Sequence, residues 1–332
     1  MHLKTRIVHT QNVDPWRNLA KEEYLLDHVE KGECILYLWQ NQNTVVIGKN
    51  QNPWRECSTE LLEEEGGKLA RRLSGGGAVF HDLGNLNFTF VVDRQAYDLH
   101  RQLEVILSAV RKAGIPAEFS GRNDLVAGGR KFSGNAFCFR KNSAYHHGTI
   151  MVSADLEKLT RYLQVSREKM QSKGVQSVQS RVVNLSEYQP SLTINGMVEL
   201  LIESFREIYG GNPPISYDEE GMDVAALDRL YEKYASWEWR YGESPKFDIH
   251  LETRFPWGGI ELGLNLKNGR VEKASVYSDA MDEEFIGMLP DALKGSAFHT
   301  HSLAEAVRRT SDDPSHKQMI KDIAQWLENK EF

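Results

Sequence analysis

Cysteine is scarce: Cys34, Cys57 and Cys138 are the whole complement. An odd number without C-x-x-C spacing suggests neither a disulfide framework nor a tetrathiolate zinc site, and all three read as reduced thiols. No window reaches the roughly 18 uncharged apolar residues of a membrane span. Lys4 and Arg6 have no apolar stretch behind them, so no secretory signal is expected. Positive charge is in deficit, with 40 Lys and Arg against 47 Asp and Glu for a net charge of -7. That balance repels a phosphate backbone, so nucleic acid is not the partner to expect. With 10 prolines and 26 glycines the chain is neither collagenous nor proline-rich. These absences predict a cytoplasmic protein with no nucleic-acid and no membrane partner.

What is present is an ordinary globular composition, 40% hydrophobic and 26% charged. At about 150 residues per domain, the length predicts roughly two domains. The β-rich runs 34–39 and 44–47, on either side of a polar turn, predict a hairpin. A helix is expected from Ser58, whose hydroxyl can cap it, to Gly66 and Gly67. Strands at 68–73, 78–81 and 86–92 follow on short connections that favour antiparallel neighbours. Leu99, Leu103, Ile106 and Val110 then recur at helical spacing up to Gly114. Beyond strands at 136–140 and 144–152 and a helix near 155–163 lies 164–191, polar and rich in Ser, Gln, Lys and Arg. So long an irregular stretch reads as a functional lid rather than an idle loop. A helix at 192–209 is followed by the tryptophan-bearing run 237–245, which ends in Gly242, Ser244 and Pro245 and marks a domain boundary. Strands at 247–251, 259–266 and 271–277 with helices near 302–309 and 315–328 complete the chain. The predicted fold class is α+β, mixed and antiparallel sheets with flanking helices, followed by a small α+β accessory domain. Residues 1–246 form the first domain and 247–332 the second.

The densest chemical signal is Arg71-Arg72-Leu73-Ser74-Gly75-Gly76-Gly77-Ala78-Val79-Phe80-His81, running on through Asn85 to Asn87. Three consecutive glycines remove every Cβ, so a ligand can lie on the backbone and bond its amides. The two arginines add fixed positive charge. No Gly-Lys-Ser/Thr follows and G-x-G-x-x-G is not matched, so neither nucleotide fold is claimed. A glycine-rich hairpin with solvated arginines is the plain alternative. In the second cluster, 121–125 and 130–136, Lys131 stands between the turn at Gly128 and Gly129 and the small pair Ser133 and Gly134. A lysine beside unshielded backbone suits a phosphate or carboxylate oxygen, although a lysine in a turn is most often only a surface lysine. Asp124 can orient that lysine or help to hold Mg²⁺. In the third, His146 and His147 on one strand must point to opposite faces, which argues against a shared metal.

These stretches, with 45–54, 173–185, 236–239 and 257–259, resemble the lipoate-protein ligase A family, and the resemblance covers essentially the whole chain. It implies a catalytic domain with the fold of biotin protein ligases and a small accessory domain. The implied chemistry uses ATP and Mg²⁺: lipoate and ATP give lipoyl-AMP and pyrophosphate, and the lipoyl group then passes to a lysine of a lipoyl domain. Acceptors would be the E2 subunits of 2-oxoacid dehydrogenases and the glycine cleavage H protein. Matched by motif position, Lys131 and Asp124 would be catalytic. Arg72, Ser74, Gly75, Gly76, Gly77, Ala78, Val79, Phe80, Asn85, Asn123, Lys131 and His147 would bind lipoate and ATP. Lys173, Gly174, Val175, Ser177, Val178, Ser180 and Arg181 would form a lid over the adenylate.

The residues fit that chemistry in their own right. Lipoate is a slender apolar chain ending in a carboxylate, and activation must bring that anion to the α-phosphate against repulsion. A preorganised lysine offsets the repulsion in the first step and stabilises the carbonyl oxygen in the second. The rival on the same fold is a lipoyl or octanoyl amidotransferase working through a thioester at Cys138. A single small thiol on a strand is more often buried filling. A non-catalytic lipoate- or lipoyl-domain-binding protein is the third reading, and pyrophosphate release separates all three.

Overall fold

Leu86, Phe88, Phe90 and Val92 alternate with Asn85, Asn87 and Thr89, the period of a strand with one apolar face. In a computed structural model of the protein this segment is β6 (Asn85–Asp93), near the middle of an eight-stranded sheet. The structure describes residues 3–120, 124–163, 181–241, 249–267 and 269–330, the side chains of 54 and 55 apart. From edge to edge the sheet runs β11 (Ile215–Tyr217), β1 (Lys4–His9), β2 (Glu33–Trp39), β6, β10 (Ser143–Met151), β9 (Arg130–Phe139), β8 (Asp124–Ala127) and β7 (Ala117–Ser120). The first three strands are mutually parallel and the other pairings antiparallel.

The apolar face of β6 is buried with α3 (Leu99–Lys112) and α5 (Ile194–Tyr209) in one core that includes Phe90, Val105, Ile106, Leu201 and Phe205. Each helix starts at a side-chain cap, Asp98 accepting from the Arg101 N–H and Thr193 from the Gly196 N–H, which satisfies amides that have no partner within the helix. The other face of β6 and β10 meets α1 (Pro15–His28), which also packs on α6 (Val224–Ala235). Helix α1 buries Lys21, Glu22 and Glu23 along with its leucines. A helix covered on so many sides carries no clean apolar stripe, so its 3.6-residue period is hidden in the sequence.

The predicted hairpin at 34–39 and 44–47 does not form. Strand β2 pairs with β1 and β6, whereas β3 (Thr44–Ile47) is central in a separate sheet, parallel to β4 (Lys68–Arg71) and antiparallel to β5 (Val79–His81). The intervening turn is diverted by α1, where Asn18 Nδ2 donates to the Gln40 carbonyl at 2.7 Å and to Asn41 Oδ1 at 3.1 Å. Antiparallel neighbours are therefore only part of the topology. The helix after Ser58 is present as α2 (Thr59–Glu64), without a side-chain capping bond from Ser58.

A second compact unit comprises Gly48–Asn52, Leu73–Ala78 and Tyr241–Phe332. Strands β12 (Ile249–Phe255), β13 (Gly258–Lys267) and β14 (Arg270–Ser278) form an antiparallel sheet. It shares a core with α8 (Glu283–Leu293), α9 (Thr300–Arg308) and α10 (Lys317–Glu328), built on Leu262, Leu264, Phe285, Leu289 and Ile323. The two early segments are bonded into this unit through backbone. Gly76 donates its N–H to the Ala280 carbonyl at 2.9 Å, Ser278 to Asn50 at 2.6 Å, and Lys49 to Ser74 at 2.9 Å. A Cβ on Gly75 would stand 2.4 Å from the Ala280 oxygen, and Gly76 has φ +87°. The first glycine is thus required by close chain packing and the second by a left-handed backbone.

Gly75→Ala forces backbone against backbone, and it is expected to cost about 2 to 3 kcal/mol. A Cβ at Gly77 meets nothing within 4 Å, so Gly77→Ala is expected to leave stability near the parent's. Urea midpoints of the two variants check the contrast, and equal midpoints would contradict this packing.

Candidate active site

Lys131 is the second residue of β9, after a turn in which Gly128 and Gly129 have φ +55° and +76°. Val126 pairs with Lys131 and Leu125 with Ser133, so Phe132 has no opposite number and the strand is bulged there. The lysine lies across Gly134, where a Cβ would be 2.9 Å from Nζ. Its ammonium meets Asp124 Oδ1 at 2.7 Å, with the two side chains 39% and 45% exposed. An ion pair this open contributes at most about 1 kcal/mol to stability. Its geometric effect is to hold the ammonium at Asp124. The edge beside it is closed by 181–183, where the Val183 N–H reaches the Lys131 carbonyl at 2.9 Å.

The sheet register extends this position into a row. Gly134 donates its N–H to Thr149 Oγ1 at 3.2 Å. Thr149 pairs with Asn87, His147 with Thr89, and Tyr37 with Thr89 from the other side. On that face a buried chain of hydrogen bonds converges on α1. Trp39 Nε1 donates to Thr89 Oγ1 at 3.0 Å, and Thr89 Oγ1 to Glu22 Oε1 at 2.7 Å. His147 Nδ1 meets the same carboxylate oxygen at 2.8 Å. His146 points the other way, between the amides of Gln102 and Asn135. The two histidines part as alternate side chains of one strand must. Among the described residues no group of three His, Cys, Asp or Glu is placed to hold a metal ion.

The neighbouring arginines are used differently. Arg71 spends its guanidinium on backbone, with Nε to the Trp239 carbonyl at 2.8 Å and Nη2 to that of Arg240 at 2.9 Å. Trp239 Nε1 returns a bond to the Arg71 carbonyl at 2.9 Å. Arg71, whose cation is buried, thus ties two distant stretches of chain together. Arg72, 5% exposed, bonds the Val46 carbonyl through Nη1 at 3.1 Å. The charges of Arg72 and His147 bear on His81. Burial first, and those charges second, push His81 down to about 3, and burial with the His147 charge does the same to His146. Both rings are neutral at pH 7.

Of the residues singled out in the sequence, Arg72, Val79, Phe80, Asn85, Asp124, Lys131 and His147 lie in the first unit, and Ser74, Gly75, Gly76, Gly77 and Ala78 in the second. Asn85 Nδ2 donates to Asn87 Oδ1 at 2.9 Å. Asn123, Lys173, Gly174, Val175, Ser177, Val178 and Ser180 lie outside the described residues, while Arg181 is described. Sequence reasoning missed Glu22, Trp39, Thr89 and His81. His81 stood inside the glycine motif, and the alternation of Asn85, Asn87 and Thr89 along β6 was the signal for the polar face.

Residues 14–206 match the family described as the lipoyl protein ligase A/B catalytic domain. The chain belongs to the lipoate-protein ligase family. Residues 244–327 match the bacterial lipoate protein ligase C-terminus. Lipoate-protein ligase A of Psychrobacter cryohalolentis is 38% identical over 337 residues, which cover 98% of each chain. P. falciparum LipL1, solved in complex with lipoate, superposes with a TM-score of 0.86 at 28% identity over 98% of this chain and 100% of its own. A lipoate-protein ligase A bound with ATP gives 0.63 at 26% identity over 73% of this chain and 99% of its own. The fold is that of the lipoate-protein ligases.

The two buried histidines set an acid limit. In the unfolded chain they take up protons near pH 6.5, whereas the folded protein holds them neutral down to about 3. Stability is therefore complete above pH 6.5 and declines as pH falls toward 3, by about 2 kcal/mol per histidine at pH 5. Denaturant midpoints measured from pH 7 to pH 5 are expected to fall, and to fall less in His146→Gln.

Proposed function

We infer that this chain ligates lipoate to protein in two steps at the cost of ATP, forming lipoyl-AMP with release of pyrophosphate and then acylating a lysine of a lipoyl domain. The observation that carries the reading is Lys131, a cation steered by Asp124 and given room by Gly134 at the end of a polar row on one sheet face. In the first step the lysine offsets the repulsion between the lipoate carboxylate and the α-phosphate. In the second it meets the negative charge that develops on the acyl carbonyl oxygen. Asp124 holds the ammonium in place and can accept the proton that the incoming lysine must lose. Arg72 adds positive charge, and His147 is oriented by Glu22. Asn85 and Asn123 are assigned to the same lipoate and ATP site. Ser74, Gly75, Gly76, Gly77 and Ala78 keep their assignment to lipoate and ATP, with Gly77 as the position whose Cβ side is open and the Gly76 N–H already given to Ala280.

Asp124 is a single carboxylate and is already paired with Lys131, so the described residues do not build a protein cage for Mg²⁺. One carboxylate is enough for an ion that arrives on nucleotide phosphates, and Mg²⁺ enters the proposal only as part of the ATP substrate. The lid role stays assigned to Lys173, Gly174, Val175, Ser177, Val178, Ser180 and Arg181. The division of labour stays at residue 246, with activation before it and an accessory role after it. The bipartite lipoate protein ligase of Thermoplasma acidophilum, 27% identical with a TM-score of 0.64 over 75% of this chain and 100% of its own, is described with its E2 lipoyl domain. That pairing supports E2 lipoyl domains as acceptors, and the glycine cleavage H protein is proposed beside them. No helix among the described residues is long and apolar enough to cross a membrane, and a cytoplasmic site of action is part of the reading. The amidotransferase alternative is not favoured: Cys138 is 7% exposed, inside β9.

Lys131→Ala is expected to lower pyrophosphate release with lipoate and ATP by about 10²- to 10³-fold, the usual loss for a preorganised donor, with the fold kept. Cys138→Ser is expected to retain most activity. Normal turnover by the first variant, or a dead but folded second, would overturn the assignment.

A further inference from the structure

Gly128 and Gly129 both take left-handed φ values in the turn that leads into Lys131. Two adjacent glycines leave a turn free to wander unless something outside it holds it. The holder here is one short segment, 183–188. The Val183 N–H meets the Lys131 carbonyl at 2.9 Å. Glu187 Oε2 accepts from Arg130 Nη2 at 2.8 Å, and the Tyr188 hydroxyl donates to the Ala127 carbonyl at 3.0 Å. The turn is therefore gripped at the last residue of β8 and at the first two of β9. A Cβ on Gly128 would stand 2.3 Å from the Tyr188 hydroxyl oxygen, so that oxygen fills the bare side of the glycine. The segment has a footing of its own. Val183 and Leu185 are buried in the core of the first unit. Asn184 Oδ1 accepts from the Ala154 N–H at 2.8 Å, and its Nδ2 donates to the Ala154 carbonyl at 2.9 Å. The Ser186 N–H reaches the carbonyl of Val152, the residue after β10, at 2.9 Å. Strand β9 and its turn are thus tied to β10 twice, across the sheet through Thr149 and around the outside through this strap.

Resting on the ligase reading above, we propose that Tyr188 is a positioning residue for Lys131, and that Glu187 assists it through Arg130. The open ion pair with Asp124 is too weak to fix the lysine by itself. The Tyr188 hydroxyl fixes the backbone from which the lysine projects, so that the ammonium stands ready for the carboxylate and α-phosphate in the first step and for the acyl oxygen in the second. Preorganisation of this kind shows in rate rather than in substrate binding. One lysine serves both steps, so loosening its mount slows both together.

The test is Tyr188→Phe, which deletes the hydrogen bond and keeps the ring. Its kcat for pyrophosphate release with lipoate and ATP is expected to fall about five- to twentyfold, with KM for lipoate within about twofold of the parent's. Single-turnover transfer from preformed lipoyl-AMP to a lipoyl domain is expected to slow by a similar factor. Glu187→Gln, at an exposed pair, is expected to lose no more than about fivefold. In a Lys131→Ala background Tyr188→Phe is expected to add no further loss, because the side chain that it positions is gone. A parent-like kcat in Tyr188→Phe would overturn the proposal. So would an equal loss with and without Lys131, which would make Tyr188 a general support of the fold. Should Tyr188→Phe not fold, Glu187→Gln in the two backgrounds decides by the same comparison. If the parent releases no pyrophosphate, the ligase reading fails first, and this proposal with it.

Discussion

The Glu22 carboxylate is buried on the polar side of the main sheet and accepts hydrogen bonds from Thr89 and from His147. A buried carboxylate is tolerable only when its oxygens are matched, so this one group fixes α1, β6 and β10 against one another. Both bonds end on the same oxygen, Oε1, so either donor alone still matches it and only the loss of both would leave it unmet beneath the helix. The polar row from Gly134 through Thr149 and His147 to Thr89 and Trp39 stands on that arrangement. The other face of the same strands is closed by α3 and α5 around Phe90 and Phe205. One sheet therefore supplies both a dry core and a polar surface, with alternation along each strand as the sole separator.

Cations near the candidate site hold distinct posts. Arg71 bonds backbone carbonyls 168 and 169 positions further along the chain, and it acts as a staple. Arg72 follows directly but lies alongside β3 and bears on His81. Lys131 is the most accessible of the three, held by the one carboxylate of Asp124. Position in the strand decides which of these roles a positive side chain takes.

Much of this was legible in the sequence. The apolar alternation of β6, the heptad-like spacing of Leu99 to Val110 and the glycine turns marked their elements to within a few residues, because each has one buried face and one exposed face or end. The motif residues also marked where charge and glycine would concentrate. What escaped was buried on several sides at once. Helix α1 hides its period behind Lys21, Glu22 and Glu23, and β2, read as a strand at 34–39, is buried along its whole length, so that its pattern did not disclose its partners. The hairpin reading of 34–47 failed because Asn18, a residue of that unseen helix, captures the turn. Gly75 looked like a bed for a ligand, yet its missing side chain is owed to the backbone at Ala280, a contact that no local pattern discloses.

The same contact bears on how the protein is made. The second unit is assembled from three separated stretches, and Ser74, Gly76 and Asn50 leave the ribosome long before Ser278 and Ala280, to which the last two bond. Domains that fold during synthesis do so as their sequence emerges, but the glycine loop cannot reach its final form on that schedule. It must wait, glycine-rich and unsupported, until nearly the whole chain is available. Such long-range closure slows folding. An interrupted translation product would therefore carry a complete main sheet and an unfinished glycine loop.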